Sequence, residues 1–399
     1  MTRKVNIASA LAVAIVTSSQ IAADPKPIDA NISLFDYSEA TSAFENAYSN
    51  FNLDVSKDRG DAQTKYTASL GIDAQRVLSS PNRDIDLRFV GNGQIKRDGV
   101  AGASSTNNYV MDSSITYDNY FQPDSKGGFW FGKLGIKADD SFNDLDTRLS
   151  VGLGYGRVTN VTPMAKAIRL VQELRYRGAL AAAPSKDTYR RIADIISREN
   201  EYQSKYGGKP KFYQQYWIGD IEKVLGKTLS ATGALAARDV LIDENISTRR
   251  YGWKVRAGLS YVGKDFSGLT DNPGVLLGAE YHRPLSNQTQ FSNEAELVTT
   301  FDSTNSYTLN NTMSYVHEIE DRIDWINRWN LNYSHSAIDS DNVVTNTLSS
   351  ILAYELGNSL DLALTALIKN TDGNRTVSAG EKSDGTDRSL NIGVRYRLR

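Results

Sequence analysis

Apolar and polar residues alternate one by one along most of this chain, over unusually long stretches. In "QTKYTASLGID", Tyr66, Ala68, Leu70 and Ile72 share one face, and Thr67, Ser69, Gly71 and Asp73 share the other. "YGWKVRAGLSY" sets Tyr251, Trp253, Val255, Ala257, Leu259 and Tyr261 against Gly252, Lys254, Arg256, Gly258 and Ser260. The same division runs through "IDWINRWNLNY" and through Leu390, Ile392, Val394, Tyr396 and Leu398 at the end of the chain. A period of two places successive side chains on opposite faces of a strand. These segments run for about 10 to 14 residues, where an ordinary strand has about five or six. Several carry an aromatic residue at one or both ends of the apolar face, and the opposite face carries Lys, Arg, Asp and Glu. Strands of this length, with an apolar outside and a wet inside, predict a closed transmembrane barrel. Closure is the way a sheet satisfies every backbone hydrogen bond in lipid. A soluble sandwich would have shorter strands and an apolar interior.

Fourteen such strands can be placed, with centres near Phe51, Leu70, Leu87, Met111, Leu134, Val151, Val255, Leu277, Leu297, Met313, Trp329, Leu352, Leu364 and Val394. The predicted architecture is therefore all-β, a barrel of about 14 strands (between 12 and 16). Between the sixth and seventh strands the period changes. Thr162 and Pro163 make a helix start, a capping side chain followed by a proline at the first helical position. Further helices are expected from Ser185 towards Tyr202, from Pro210 through Leu225, and over residues 231–241. The chain thus divides into a leader (1–23), barrel residues 24–157, a helical insert (158–247) and barrel residues 248–399. If the first strand leaves the periplasm, parity puts the insert on the periplasmic side.

"LSVGLGYGRVTNVTP" joins these two regimes and superficially suggests a nucleotide-binding turn. Its spacing is G-x-G-x-G, without the offset of the third glycine in the dinucleotide motif, and no acidic residue on a second strand completes it. Within a barrel strand, Leu149, Val151, Leu153 and Tyr155 face lipid while Ser150, Gly152, Gly154 and Gly156 face inward. A row of small inward residues lets something approach the wall closely, and the insert that begins six residues later is the expected neighbour.

Composition narrows the chemistry. Arg3 and Lys4, then an apolar run from Val5 to Val16, then Ala22 and Ala23, have the layout of a secretory leader. The chain contains no cysteine and three histidines, which leaves no disulfide framework, lipidated thiol or His-rich metal site. No metal or cofactor is expected, and no nucleic-acid partner. The insert has fourteen Lys and Arg against ten Asp and Glu, while the mature barrel is net acidic. A basic module of this kind suits an anionic envelope polymer or an acidic periplasmic protein. Tyr213, Tyr216 and Trp217 are candidates for stacking on a sugar at the insert surface, or else form the core of a small bundle.

The closing "SLNIGVRYRLR", with its alternating apolar residues and late aromatic Tyr396, resembles the C-terminal signal of Gram-negative outer-membrane β-barrel proteins, porin-like in character. Those proteins usually end in an aromatic residue; this chain ends Leu398, Arg399. The resemblance implies an outer-membrane location, lipid as surroundings and the barrel-assembly machinery as a partner during insertion. The inward charges Lys133, Lys137, Lys254, Arg256, Glu294, Glu296, Arg328 and Arg395 would tune the passage of ions. Lys133, Lys254 and Arg256 on one stretch of wall, with Glu294 and Glu296 two strands beyond, predict a segregated field. The expected function is a passive or gated channel, not an enzyme, with the insert plugging the lumen or docking elsewhere. A docking anchor for peptidoglycan or an export complex is the alternative. A lipid hydrolase built on Ser334, His335, Ser336, Asp339 and Asp341 is third, although alternation sends His335 and its neighbouring serines to opposite faces.

Overall fold

The structure is a computed structural model that describes residues 32–38, 41–243, 246–264, 266, 270–301, 306–336, 341–357, 359–373, 376–377, 381–382 and 384–398. The expected leader, 1–23, lies outside these residues. Fourteen antiparallel strands close a barrel. The first seven are β1 (Ser42–Ser56), β2 (Lys65–Ser79), β3 (Arg83–Arg97), β4 (Thr106–Tyr120), β5 (Gly128–Asp139), β6 (Asp146–Asn160) and β7 (Arg250–Lys264). The remainder are β8 (Thr270–Pro284), β9 (Thr289–Thr300), β10 (Ser306–Glu320), β11 (Ile323–Ser336), β12 (Asp341–Gly357), β13 (Leu360–Gly373) and β14 (Gly385–Arg397). Each pairs with its neighbours in sequence, and β1 pairs with β14 to complete the ring. All fourteen expected strand centres fall inside these spans.

Two rings of aromatic residues bound the outer surface. Tyr117 with Trp130, Tyr155 with Trp253, Tyr281 with Phe291 and Tyr315 with Trp325 pack as neighbours at one end. Tyr307 and Tyr333 pack in the same way at the other, where Tyr109 and Tyr261 are also exposed. Exposed Leu, Ile and Val fill the space between, among them Leu149, Val151, Leu153, Val255, Leu259, Ile392 and Val394. Trp253 and Tyr261 are eight residues apart on one strand, about 20 Å along the barrel axis once the tilt is allowed for. That is close to the height of an apolar belt in a membrane barrel.

The helices occupy the gap between Asn160 and Arg250: α1 (Thr162–Tyr176), α2 (Lys186–Ser197), α3 (Glu199–Tyr206), α4 (Pro210–Leu225) and α5 (Ala231–Arg238). A π-helical turn, Asp239–Asp243, follows. The single helix expected from Ser185 to Tyr202 breaks at Arg198 into α2 and α3. Ser185 caps α2 as expected, accepting from the Thr188 N–H. Thr162 does not cap α1. Val161 holds the cap position, while the Thr162 hydroxyl donates to Asn160 Oδ1 (2.6 Å) and accepts from the Arg249 N–H (2.9 Å). It ties together the two strand ends that flank the insert.

The insert has a core of its own, built from Met164, Ile168, Leu170, Val171, Leu174, Tyr189, Ile192, Tyr213, Trp217 and Ile221. Leu34 and Tyr37, from the segment before β1, are buried in the same core. Asp36 accepts from the Ser33 N–H and pairs with Lys186 (3.3 Å). These contacts, the backbone one first, hold its carboxyl below the usual carboxylate range. A short N-terminal strap therefore belongs to the helical module.

Candidate functional site

The insert shares its end of the barrel with short turns between β2 and β3, β8 and β9, β10 and β11, and β12 and β13. Most connections at the other end are longer. Inward side chains at the insert end form a dense layer of buried charge. Lys254 Nζ bonds Asp118 Oδ2 (3.0 Å) and lies 3.7 Å from Asp84. Arg256 donates to Asp118 through Nε (3.1 Å) and Nη2 (2.7 Å) and pairs with Glu280. Arg157 pairs with Asp84 (3.4 Å) and lies over the ring of Tyr120, whose hydroxyl also donates to Asp84 (3.0 Å). On the opposite side of the mouth, Arg395 bonds Asp361 (2.7 Å) and lies over Tyr48, with Arg397, Glu355 and Glu318 buried nearby in the same rim.

Some of these links cross the lumen. β3 and β9 are six strands apart one way and eight the other, so they face each other across the barrel. Arg88 of β3 nevertheless donates to Glu294 of β9 at 2.5 Å. Glu294 also takes Arg250 (3.0 Å), and His282, fully buried, lies 3.7 Å from both Glu280 and Glu294. Lys133 of β5 reaches Glu296 of β9, and Arg328 of β11 lies 3.7 Å from Asp73 of β2. Exposure rises along the axis. The Asp118 and Lys254 side chains are 2% and 7% exposed, whereas Asp112 and Lys137, nearer the loop end, are 50% and 47% exposed and 3.3 Å apart. The lumen is thus a cup, packed with paired charge at the insert end and wet towards the loops.

All eight charged residues singled out by alternation lie in this paired system. Their arrangement corrects the expected segregated field, because each positive group has a carboxylate within ion-pair reach. Arg88, Asp118, Arg250 and Glu280 complete the network. They sit on the same inward phase and could have been found by following it, but their partners depend on barrel closure and are not written in any one strand.

The glycine row is also explained differently. Phe129 and Phe131 of β5 point inward and are fully buried with Tyr120, Leu276 and Val298. Their rings lie against Gly152, Gly154 and Gly258. A Cβ on Gly152 or on Gly258 would come within 2.8 Å of Phe131. The close neighbour of the small-residue wall is therefore a pair of aromatic rings from the next strand, not the helical insert. Gly156 has a different role. Its φ of 102° requires glycine, and the Trp253 carbonyl occupies the place a Cβ would take.

Docking of the insert centres on Glu318. Its carboxylate takes Arg169 of α1 (2.5 Å), Arg249 (3.0 Å), and the Ser247 N–H (2.8 Å) and hydroxyl (3.0 Å), and its side chain is 2% exposed. Arg249 Nε also donates to the Asn287 carbonyl (3.1 Å) in the turn after β8. α1 is thereby clamped to the rim at β10, four strands from where the insert leaves the barrel.

The proposed insert surface is corrected in part. Tyr213 and Trp217 are core residues. Trp217 Nε1–H donates to the Ile195 carbonyl (2.9 Å), and Tyr213 donates to Glu199 (2.5 Å). Their i, i+4 spacing is that of one buried face. Tyr216 is 44% exposed and stacks on Tyr206 with centroids 3.8 Å apart. Asp220 bonds Lys223 (2.7 Å) and the Tyr202 hydroxyl (2.6 Å). These bonds lower its pKa, and Tyr202 titrates higher than usual through burial and the same bond.

Of the residues in the hydrolase reading, Asp339 lies outside the described residues, as do the side chains of Ser336 and Asp341. His335 Nδ1 lies 2.8 Å from Asn342 Oδ1 and its ring packs against Tyr307. Ladder pairing gives Ser334 the face opposite to His335.

Residues 243–356 match the family described as "Protein of unknown function, DUF481". No curated protein sequence matches the chain. Among solved structures, similarity extends to an anion-selective porin from Comamonas acidovorans, at 10% identity over 89% of this chain and 100% of that one, with a TM-score of 0.32. The β domain of the Bordetella autotransporter BrkA is similar at 9% identity over 90% and 100%, TM-score 0.28. The Pseudomonas putida toluene transporter TodX is similar at 8% identity over 93% and 94%, TM-score 0.26. The barrel assignment rests on the chain's own closed ladder.

Proposed function

We propose that this barrel is a gated outer-membrane channel for small hydrophilic solutes or ions, closed at its periplasmic end by paired lumen charges and clamped there by the helical insert. The observation that carries the reading is the Arg88–Glu294 link across the lumen, within a cup that is wet at the loop end. A scaffold without transport has no need of inward charge along its whole length. Pairs that span a lumen make a constriction that opens when they separate. The short turns and both barrel termini at the insert end match the periplasmic side of bacterial barrels. The closed barrel and its apolar belt suit an outer membrane.

The test is planar-bilayer conductance of the refolded full chain beside a variant with residues 161–249 replaced by a short turn. The full chain is expected to open briefly, and the shortened barrel to open more often because Glu318 has lost its clamp. Silence from both, with each barrel shown to be folded, would overturn the channel. It would leave the insert as an anchor for peptidoglycan or a periplasmic protein, with the exposed Tyr206–Tyr216 stack as the first surface to mutate.

A further inference from the structure

The barrel is not equally closed all round. Every other pair of neighbouring strands shares nine or more rungs, but β1 and β14 share four: Tyr48 with Arg397, Ser49 with Tyr396, Asn50 with Arg395 and Phe51 with Val394. Both strands continue towards the loop end and remain paired on their other sides, β1 with β2 up to Ser56 and β14 with β13 down to Gly385. Extending the register would set Asn52 opposite Gly393, Leu53 opposite Ile392, Asp54 opposite Asn391 and Val55 opposite Leu390. Among the described residues no such rungs form. The ladder ends where Asn52 Oδ1 fills the space beside Gly393, 2.6 Å from where a Cβ would stand.

Above that point two backbone edges face each other with unpaired N–H and C=O groups at membrane depth. Exposed edges of this kind do not persist in hydrocarbon, because each unsatisfied group costs several kcal/mol. The slit must be wetted or filled, and its lips differ by face. Outside stand Leu53, Val55, Leu390 and Ile392, the last two among the most exposed apolar residues described, at 70% and 73%. On the inward phase stand Asn52, Asp54, Asn391 and Ser389, with Asn50 in the last formed inward rung below them. The slit opens into the wet, loop-side part of the cup, while the route along the axis is packed with charge at the insert end.

We propose that the unzipped stretch of the β1–β14 seam is a side entrance through which a single-chain amphiphile, with an apolar tail and an uncharged polar head, moves between the outer part of the bilayer and the lumen. This rests on the orientation and channel reading above and names a solute class for it. The tail lies along the leucine and isoleucine lips, and the head takes hydrogen bonds from the asparagine amides and the unpaired backbone.

The absence of native cysteine makes the test clean. The Asp54→Cys/Asn391→Cys variant in proteoliposomes would be oxidised, or joined by a short bis-maleimide, to lock the slit. A dodecyl maltoside carrying a diazirine in its tail would then be photolysed and the labelled residues mapped. The open form is expected to be labelled on Asn50, Asn52 and other lumen residues. Locking abolishes lumen labelling, leaves the outer-face labels, and reduction of the disulfide restores the lumen labels. A control pair on the complete β12–β13 ladder, Thr347→Cys/Lys369→Cys, leaves labelling unchanged. Lumen labels that persist in the locked form, or labels confined to Leu53 and Ile392 in both forms, would overturn the side entrance. Conductance recorded from the same samples separates this result from failure of the channel. Ion flow that survives locking belongs to the axis, and lumen labelling does not depend on it.

Discussion

Replacing Glu294 with Gln removes the carboxylate that Arg88 and Arg250 share while keeping its size. Two unit charges about 3 Å apart attract by about 1.4 kcal/mol in water and about 5.5 kcal/mol at an effective dielectric constant of 20. The Arg88 and Glu294 side chains are 38% and 20% exposed, so solvent screening applies and the lower part of that range is appropriate. A closed state that loses about 1–2 kcal/mol relative to an open one gains roughly five- to thirtyfold in open probability. Single-channel recording at about 0.1 M salt reads this directly, and raising the salt to about 1 M should narrow the gap between variant and wild type as the Debye length shrinks. Arg88→Gln should act in the same direction, and the double variant should add little beyond Glu294→Gln, since both break the Arg88–Glu294 link. The reasoning fails if a folded Glu294→Gln barrel opens no more often than wild type at low salt. It fails equally if the two single effects add in full.

Three further outcomes follow from the same contacts. Glu318→Ala leaves the buried Arg169 and Arg249 guanidiniums without their shared carboxylate; about 3–5 kcal/mol of docking should be lost, read as faster hydrogen exchange in the first turns of α1 and around Ser247. Gly152→Val drives a branched side chain into the Phe131 ring and the Ala257 carbonyl; it should lower the yield of closed barrel on heat-modifiable gels, with only partial rescue by Phe131→Ala because the backbone clash remains. Asp36 and Asp220 have depressed pKa values in the folded insert, so their stabilisation is present above the unfolded value of about 4 and is lost as pH falls through the lower folded value. Trp217 fluorescence should therefore report loosening of the insert as pH falls below about 4, and Asp36→Asn with Asp220→Asn should flatten that part of the curve.

How much of this was legible in the sequence depends on the range of the interaction. Strand faces depend on neighbours two residues apart, so Leu149 to Tyr155 outside and Lys254 to Ser260 inside could be read directly. Helix ends are nearly as local, as Ser185 and Gly226 illustrate, although Thr162 gave up its capping role to hold Asn160 and Arg249, a contact that depends on two distant strand ends meeting. The inward phase of Phe129 and Phe131 is legible from the alternation in "GFWFGK", where they share a face with Lys133, but their packing on Gly152 and Gly258 depends on the neighbouring strands. The pairing of Arg88 with Glu294 was not available at all. It spans 206 positions in sequence and exists because closing the barrel brings β3 and β9 within reach.

The strap before β1 has a mechanical consequence. Leu34 and Tyr37 are held in the helical core and Asp36 is pinned by Lys186, while β1 begins at Ser42. The five Cα–Cα links from Tyr37 to Ser42 reach at most about 19 Å. The helices are therefore leashed to one of the two strands that form the open seam. Once that short tether is taut, any withdrawal of the insert from the mouth pulls on β1 along its length, a lever that links the insert end of the barrel to the seam.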